Sequence, residues 1–65
     1  MLLTVNGKAL RSDAATVQAL VETITEARRG VAVAVNGEVV ARSTWTRATL
    51  ADGDSVEVLT AAQGG

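Results

Sequence analysis

Few residues of this 65-residue chain carry side chains suited to chemistry, and most of those lie in its second half. Asp52 and Asp54 flank Gly53 and form a carboxylate pair of the kind that serves acid–base catalysis or holds a cation. Beside a glycine, aspartates more often shape a turn, because their side chains bond the backbone two residues on. The pair is therefore read as turn-forming. Arg42 and Arg47 could meet an acidic surface or stay solvated. Trp45 stands between them as the only aromatic, and fits capping a core better than recognising a partner. Gly64-Gly65 offers a different group: a carboxylate on a stretch without Cβ atoms, able to enter a narrow channel and adopt backbone angles closed to other residues. Such a pair falls at a given terminus by chance roughly 0.5% of the time. It is read as functional.

Composition excludes most other chemistry. There is no cysteine, so the chain has no thiol redox step and no thiolate metal site. There is no histidine, which removes the usual general base and the commonest metal ligand. An enzyme working alone is not expected, nor a resident metal. Six Lys and Arg against seven Asp and Glu, without a basic stripe, argue against nucleic acid. No apolar run approaches the roughly 18 residues of a membrane span, and Met1 to Asn6 lack the basic start of a signal peptide. A cytoplasmic location is the expectation.

These groups must be positioned by a small aliphatic domain. Met1 to Val5 is apolar and precedes Asn6-Gly7, the dipeptide that favours a two-residue hairpin turn. That turn sets Val5 opposite Lys8, Thr4 opposite Ala9 and Leu3 opposite Leu10. From Thr16, a candidate N-cap, the period changes to 3.6: Val17, Leu20, Val21 and Ile24 form one apolar stripe. Arg28 and Arg29 suit the end of that helix and Gly30 its stop. Val31 to Val35 returns to period two before a second Val-Asn-Gly, which sets Val33 opposite Val40 and Ala34 opposite Val39. Residues 41–50 read as a loop with one short helical turn, Asp52 to Asp54 as a turn, and Ser55 to Leu59 as a last strand.

The order is ββαββ-loop-β. Two hairpins and one helix gain stability only by sharing a sheet, with the last strand between the first and third. The expected class is α+β: a β-grasp, ubiquitin-like fold with a mixed sheet of about five strands packed on one helix. Leu3, Leu10, Val33, Val40, Val56 and Val58 should meet the helix. Residues 1–59 would be the domain and 60–65 a flexible tail, whose last five residues reach about 16 Å when extended.

Over its whole length the chain resembles the ThiS family. The stretches that carry the resemblance are Val33-Ala34-Val35-Asn36-Gly37-Glu38-Val39-Val40, Arg42-Ser43-Thr44-Trp45, Leu50-Ala51-Asp52-Gly53-Asp54 and the final Gly64-Gly65. One departure is Ala41, where the family usually has proline. The resemblance implies a sulfur carrier of thiazole formation in thiamine biosynthesis. Its partners would be a ThiF-type adenylating enzyme, a cysteine-desulfurase-type persulfide donor and the thiazole synthase ThiG. ATP would be consumed by the adenylating partner, and the chain itself would bind no cofactor. Carried onto this sequence, Gly65 is the residue adenylated and then thiocarboxylated, with Ala62, Gln63 and Gly64 recognised beside it.

Alternation along the strands leaves Leu2, Ala32, Ala34, Val39 and Leu59 facing away from the helix, where a solvated sheet would normally be polar. This set is the expected partner surface. A molybdopterin-type carrier such as MoaD shares the fold and the Gly-Gly end and is the alternative among carriers. A ubiquitin-like binding module that is never activated is the alternative in another class. Lys8 is the only lysine, which argues against branched self-chains.

Overall fold

The structure is a computed structural model and describes residues 1–26 and 29–61. The first hairpin joins β1 (Leu2–Val5) to β2 (Lys8–Arg11), and the helix α1 spans Val17–Ile24. A second hairpin, β3 (Val31–Val35) and β4 (Glu38–Val39), leads into a 3₁₀ turn at Arg42–Thr44 and then β5 (Ser55–Thr60). The five strands form one mixed sheet in the order β2-β1-β5-β3-β4, with α1 against one face. This is the expected β-grasp arrangement.

Both hairpins adopt the register the Asn-Gly turns dictate. Leu3 pairs with Leu10 and Val5 with Lys8; Ala34 pairs with Val39, and the Val40 N–H donates to the Val33 carbonyl. Asn6 and Asn36 sit at φ of 51° and 52°, each followed by a glycine with positive φ, the backbone that a type I′ turn demands. β5 lies parallel to β1 and antiparallel to β3. With β1 and β2 on one side of β5 and β3 and β4 on the other, the chain must cross the sheet between β2 and β3, and α1 lies on that crossover.

The core is aliphatic apart from one indole. Leu3, Val17, Leu20, Val33 and Val56 are fully buried, and Ala14, Val21, Trp45, Leu50 and Val58 complete the cluster. Leu10, expected in this set, is 37% exposed. The reason is width. Five strands span about 19 Å, whereas one helix covers about 10–12 Å, so the outer strand β2 projects beyond it.

The helix also ends earlier than expected, at Ile24, where Thr25 turns extended and its N–H bonds the Val21 carbonyl. Position 28, where the apolar stripe would continue, is an arginine, and Thr23-Ile24-Thr25 is β-branched throughout. No basic residue lies in the last turn; Arg28 lies outside the described residues and Arg29 is exposed beyond the helix. Thr16 is the N-cap as expected, its hydroxyl accepting from the Ala19 N–H at 3.2 Å. The two N–H groups before that one go to the loop: Val17 to the Ala48 carbonyl and Gln18 to that of Trp45. Residues 41–50 are thus a docked cap on the helix rather than a free connection. Ala41 sits at φ −62°, ψ 136°, with the φ that a proline would fix, so the bend forms with alanine at this position.

Asp52 and Asp54 behave as turn residues. Asp52 Oδ1 accepts from the Leu2 N–H, Asp54 Oδ2 from Ala51, and Asp54 Oδ1 from the Asn36 amide. The Ala51 N–H, and after it the Asn36 amide, hold the Asp54 carboxyl below its ordinary value of 3.8. A lowered carboxyl pKa stabilises the fold fully above that value and ceases to do so as pH falls through the folded one. Denaturant midpoints should therefore drop below about pH 4, and Asp54→Asn should remove part of that drop while lowering the midpoint at pH 7. An acid limb unchanged in the variant would exclude this turn as a contributor.

Candidate functional site

The Gly64-Gly65 end singled out in the sequence lies a few residues beyond β5 (Ser55–Thr60) along the chain, so the site begins with what holds that strand. β5 alternates cleanly: Val56 and Val58 point into the core, while Ser55, Glu57 and Leu59 point outward. Val-Val alternation suits a central strand buried on one face only. The two turn asparagines grip it from either side. Asn6 takes both backbone groups of Val58, accepting from its N–H at 2.8 Å and donating to its carbonyl at 3.1 Å. Asn36 accepts from the Ser55 N–H at 3.0 Å and donates to Asp54. Each Val-Asn-Gly is therefore a turn and also a clamp on the strand that leads to the tail. Sequence reading recognised the repeat as two hairpins; the side chains' second role could be found only once β5 lay between them.

The exit of the chain is equally defined. Thr60, expected in the tail, pairs with Val31 as the last residue of β5, and the Ala61 N–H donates to the Gly30 carbonyl at 2.6 Å. Gly30 has φ +70°, and a Cβ added there would lie 2.9 Å from the Ala61 Cβ. Glycine is thus required at position 30 by backbone angle and by close approach together, rather than as a helix stop. Ala62, Gln63, Gly64 and Gly65 lie outside the described residues.

Around this exit the open face of the sheet is apolar. The register sets Ala32 beside Leu59, and Ala34 between Glu57 and Val39. Ala32, Ala34, Val39 and Leu59 line one shallow hollow of about 290 Å³ with Glu57 at its edge. Val39 is 83% and Leu59 69% exposed, and with the two alanines they make a contiguous apolar patch rather than scattered surface residues. Leu2 does not join them. It lies two residues before Thr4, which pairs with Ser55, so along the parallel strands it is level with residue 53 and about 20 Å from Leu59. Of the five residues expected on the partner surface, four are contiguous and adjoin the exit.

Trp45 lies in the core, 2% exposed, with its indole N–H donating to the Val40 carbonyl and the Arg42 guanidinium 5.1 Å above its ring. It is not part of the open face. Among the described residues no group of three or more His, Cys, Asp or Glu could hold a metal ion, and no helix is long and apolar enough to cross a membrane. The hollow offers apolar contact and a strand end, with one carboxylate at its rim. That arrangement can dock and present; it holds no nucleophile–base pair.

Comparison with known proteins agrees with this architecture. The ThiS family profile matches residues 3–65. A crystal structure of the thiamine biosynthesis protein ThiS from Geobacter metallireducens is 40% identical, with a TM-score of 0.80 and both chains covered in full. An NMR solution structure of a thiamine biosynthesis protein from the same organism is also 40% identical, with a TM-score of 0.82, covering all of this chain and 88% of that one. No curated protein matches at comparable stringency. With a family match over nearly every residue and the same fold in 40%-identical structures, this chain belongs to the ThiS family.

Proposed function

We propose that this protein is a sulfur carrier of thiamine biosynthesis that works through the carboxylate of Gly65. The observation that carries the reading is the family match running through Gly65 in a chain without cysteine or histidine. The β-grasp domain holds the strand before that end with two asparagine clamps and fixes its exit at Gly30.

A carboxylate resists nucleophilic attack through its charge and resonance, so it has to be activated. A Gly65 oxygen attacks the α-phosphate of ATP in the adenylating enzyme, pyrophosphate leaves, and an acyl adenylate forms. A donor persulfide then attacks the acyl carbon and expels AMP, leaving an acyl disulfide. A thiol of the donor system cleaves the S–S bond and frees the thiocarboxylate, which the thiazole synthase consumes. The carrier supplies reach and recognition, through Gly64, Gln63 and Ala62, while ThiF-type and ThiG-type partners supply catalysis. Intact-mass measurement after incubation with ATP, the adenylating enzyme and a persulfide donor tests this. Replacement of one oxygen by sulfur in the last tryptic fragment is expected, and the same change elsewhere in the chain would refute it.

Ala32, Ala34, Val39 and Leu59 are proposed as the surface by which those partners hold the domain while the end is in their active sites. Leu59→Glu puts a charge at the centre of the hollow on a side chain already 69% exposed. It should weaken binding to the adenylating enzyme or to the thiazole synthase by about tenfold or more while leaving the unfolding midpoint unchanged. Titration calorimetry checks this, and unchanged affinity for both partners would make the hollow ordinary surface.

A further inference from the structure

A second groove lies at the opposite edge of the sheet from β4. It runs between β2 and α1, holds about 610 Å³, and is floored by Leu10, Ala14, Ala19 and Ile24 with Thr23 at one side. It exists because the helix is narrower than the sheet, which leaves Leu10 and Ile24 37% and 38% exposed facing the same space. The outer wall of the groove is an open strand edge. Among the described residues β2 pairs only with β1, and all four of its residues are exposed. The bonds joining Met1 to Ser12, together with the two-residue turn at Asn6-Gly7, make Lys8, Leu10 and Ser12 the residues bonded inward to β1. By alternation the N–H and C=O groups of Ala9 and Arg11 point outward.

An apolar trough beside unpaired backbone groups suits an extended peptide, which adds as a strand and drops alternate side chains into the trough. Charge selects the occupant further. Lys8 shares the helix-facing side of β2 with Leu10, and Arg11 flanks it on the other side, so two positive charges line an edge of four residues. A second copy pairing here would bring like charges together, as edge strands commonly do to prevent self-association. A segment with acidic residues at the Lys8 end would instead be attracted. At the other end of the groove stands Asp13, which disfavours acid there and sets a direction.

We propose that the β2 edge and the β2–α1 groove form a second docking site, for an extended segment of a partner protein carrying alternate apolar residues followed by acidic ones. The site is two strands, about 10 Å, from β5, so it can be occupied while the open face and the end of the chain are engaged elsewhere. A partner held there would keep the carrier at high local concentration between reactions. The site does not depend on Gly65 being activated.

The test uses the intact, ¹⁵N-labelled protein and a capped synthetic peptide of alternating valine and threonine ending in aspartates. Amide shifts are expected at Ala9, Leu10, Arg11, Ala19 and Ile24. Ala9→Pro removes one outward N–H at an edge position that tolerates proline, and Leu10→Asp makes the trough repulsive. Each should weaken binding by about tenfold or more, whereas Leu59→Glu should not. A peptide N-methylated along the pairing edge should bind as poorly, which gives the same answer without touching the protein's fold. A lysine-terminated peptide should also bind more weakly, with the difference shrinking at high salt. The proposal is overturned by absence of shifts at millimolar peptide, by shifts centred on Ala32, Val39 and Leu59, or by equal binding of the N-methylated peptide.

Discussion

With Gly65 deleted, the protein should unfold at the wild-type midpoint yet gain no sulfur on incubation with ATP, adenylating enzyme and persulfide donor. Among the described residues every buried core residue lies between Leu3 and Val58, so the deletion leaves that core intact. What it removes, under the proposed mechanism, is the atom that attacks the α-phosphate at the right distance from the docked domain. Near-attack geometry tolerates errors of only about 1 Å before rates fall by orders of magnitude, while one residue of extended chain is about 3.4 Å. Adding a residue after Gly65 should therefore be as damaging as deleting it, since it shifts the carboxylate and adds a Cβ. Amidating the end removes the attacking oxygen and should abolish charging outright. Native mass spectrometry with the adenylating enzyme separates two failures: a variant that binds but is not charged implicates the chemistry, and one that does not bind implicates recognition. A truncated protein that still acquired sulfur would end the carrier reading.

Trp45→Ala is expected to be the most damaging single substitution to the fold. The indole is 2% exposed in a core otherwise built from aliphatic side chains, and its N–H satisfies the Val40 carbonyl at the end of the second hairpin. Its own carbonyl accepts from the Gln18 N–H at the start of the helix. Truncating a buried tryptophan costs about 3–5 kcal/mol, and a domain of this length has a total stability of roughly 3–10 kcal/mol. The variant should thus be largely unfolded at 37 °C. Trp45→Phe keeps most of the packing and loses the N–H donor, for about 1–2 kcal/mol. Urea denaturation followed by far-UV circular dichroism distinguishes the two. A Trp45→Ala midpoint near wild type would mean the residues 41–50 are dispensable to the core, contrary to their bonds with the helix.

Local rules carried a long way in this chain. A two-residue Asn-Gly turn admits one register, and the i, i+3, i+4, i+7 stripe from Val17 admits one helical face. Both hairpins and the helix start are therefore legible without coordinates. The place of β5 follows from the need of two hairpins to share a sheet. The Gly-Gly end stood out as the candidate reactive group because the chain holds neither histidine nor cysteine.

Where local rules failed, a distant element had intervened. Leu10 alternates in phase with Leu3, yet only the width of one helix against five strands decides that Leu3 is buried and Leu10 opens onto a groove. Leu2 alternates in phase with Leu59, but the parallel offset of β1 and β5 sets it at the far end of the sheet. Gly30 carries a sequence mark that suits a helix stop, and it is its positive φ together with the approach of Ala61 from the last strand that accounts for it. Residues 41–50 lack any period because their order comes from the helix's unpaired N–H groups, which accept no pattern of side chains as a signature. The amino-acid sequence by itself determined the elements, the two hairpin registers and the candidate reactive end, since each depends on neighbours a few residues away. The docked loop, the asparagine clamps, the patch without Leu2 and the second groove were decided only by tertiary structure, because each depends on which segments the closed sheet brings side by side.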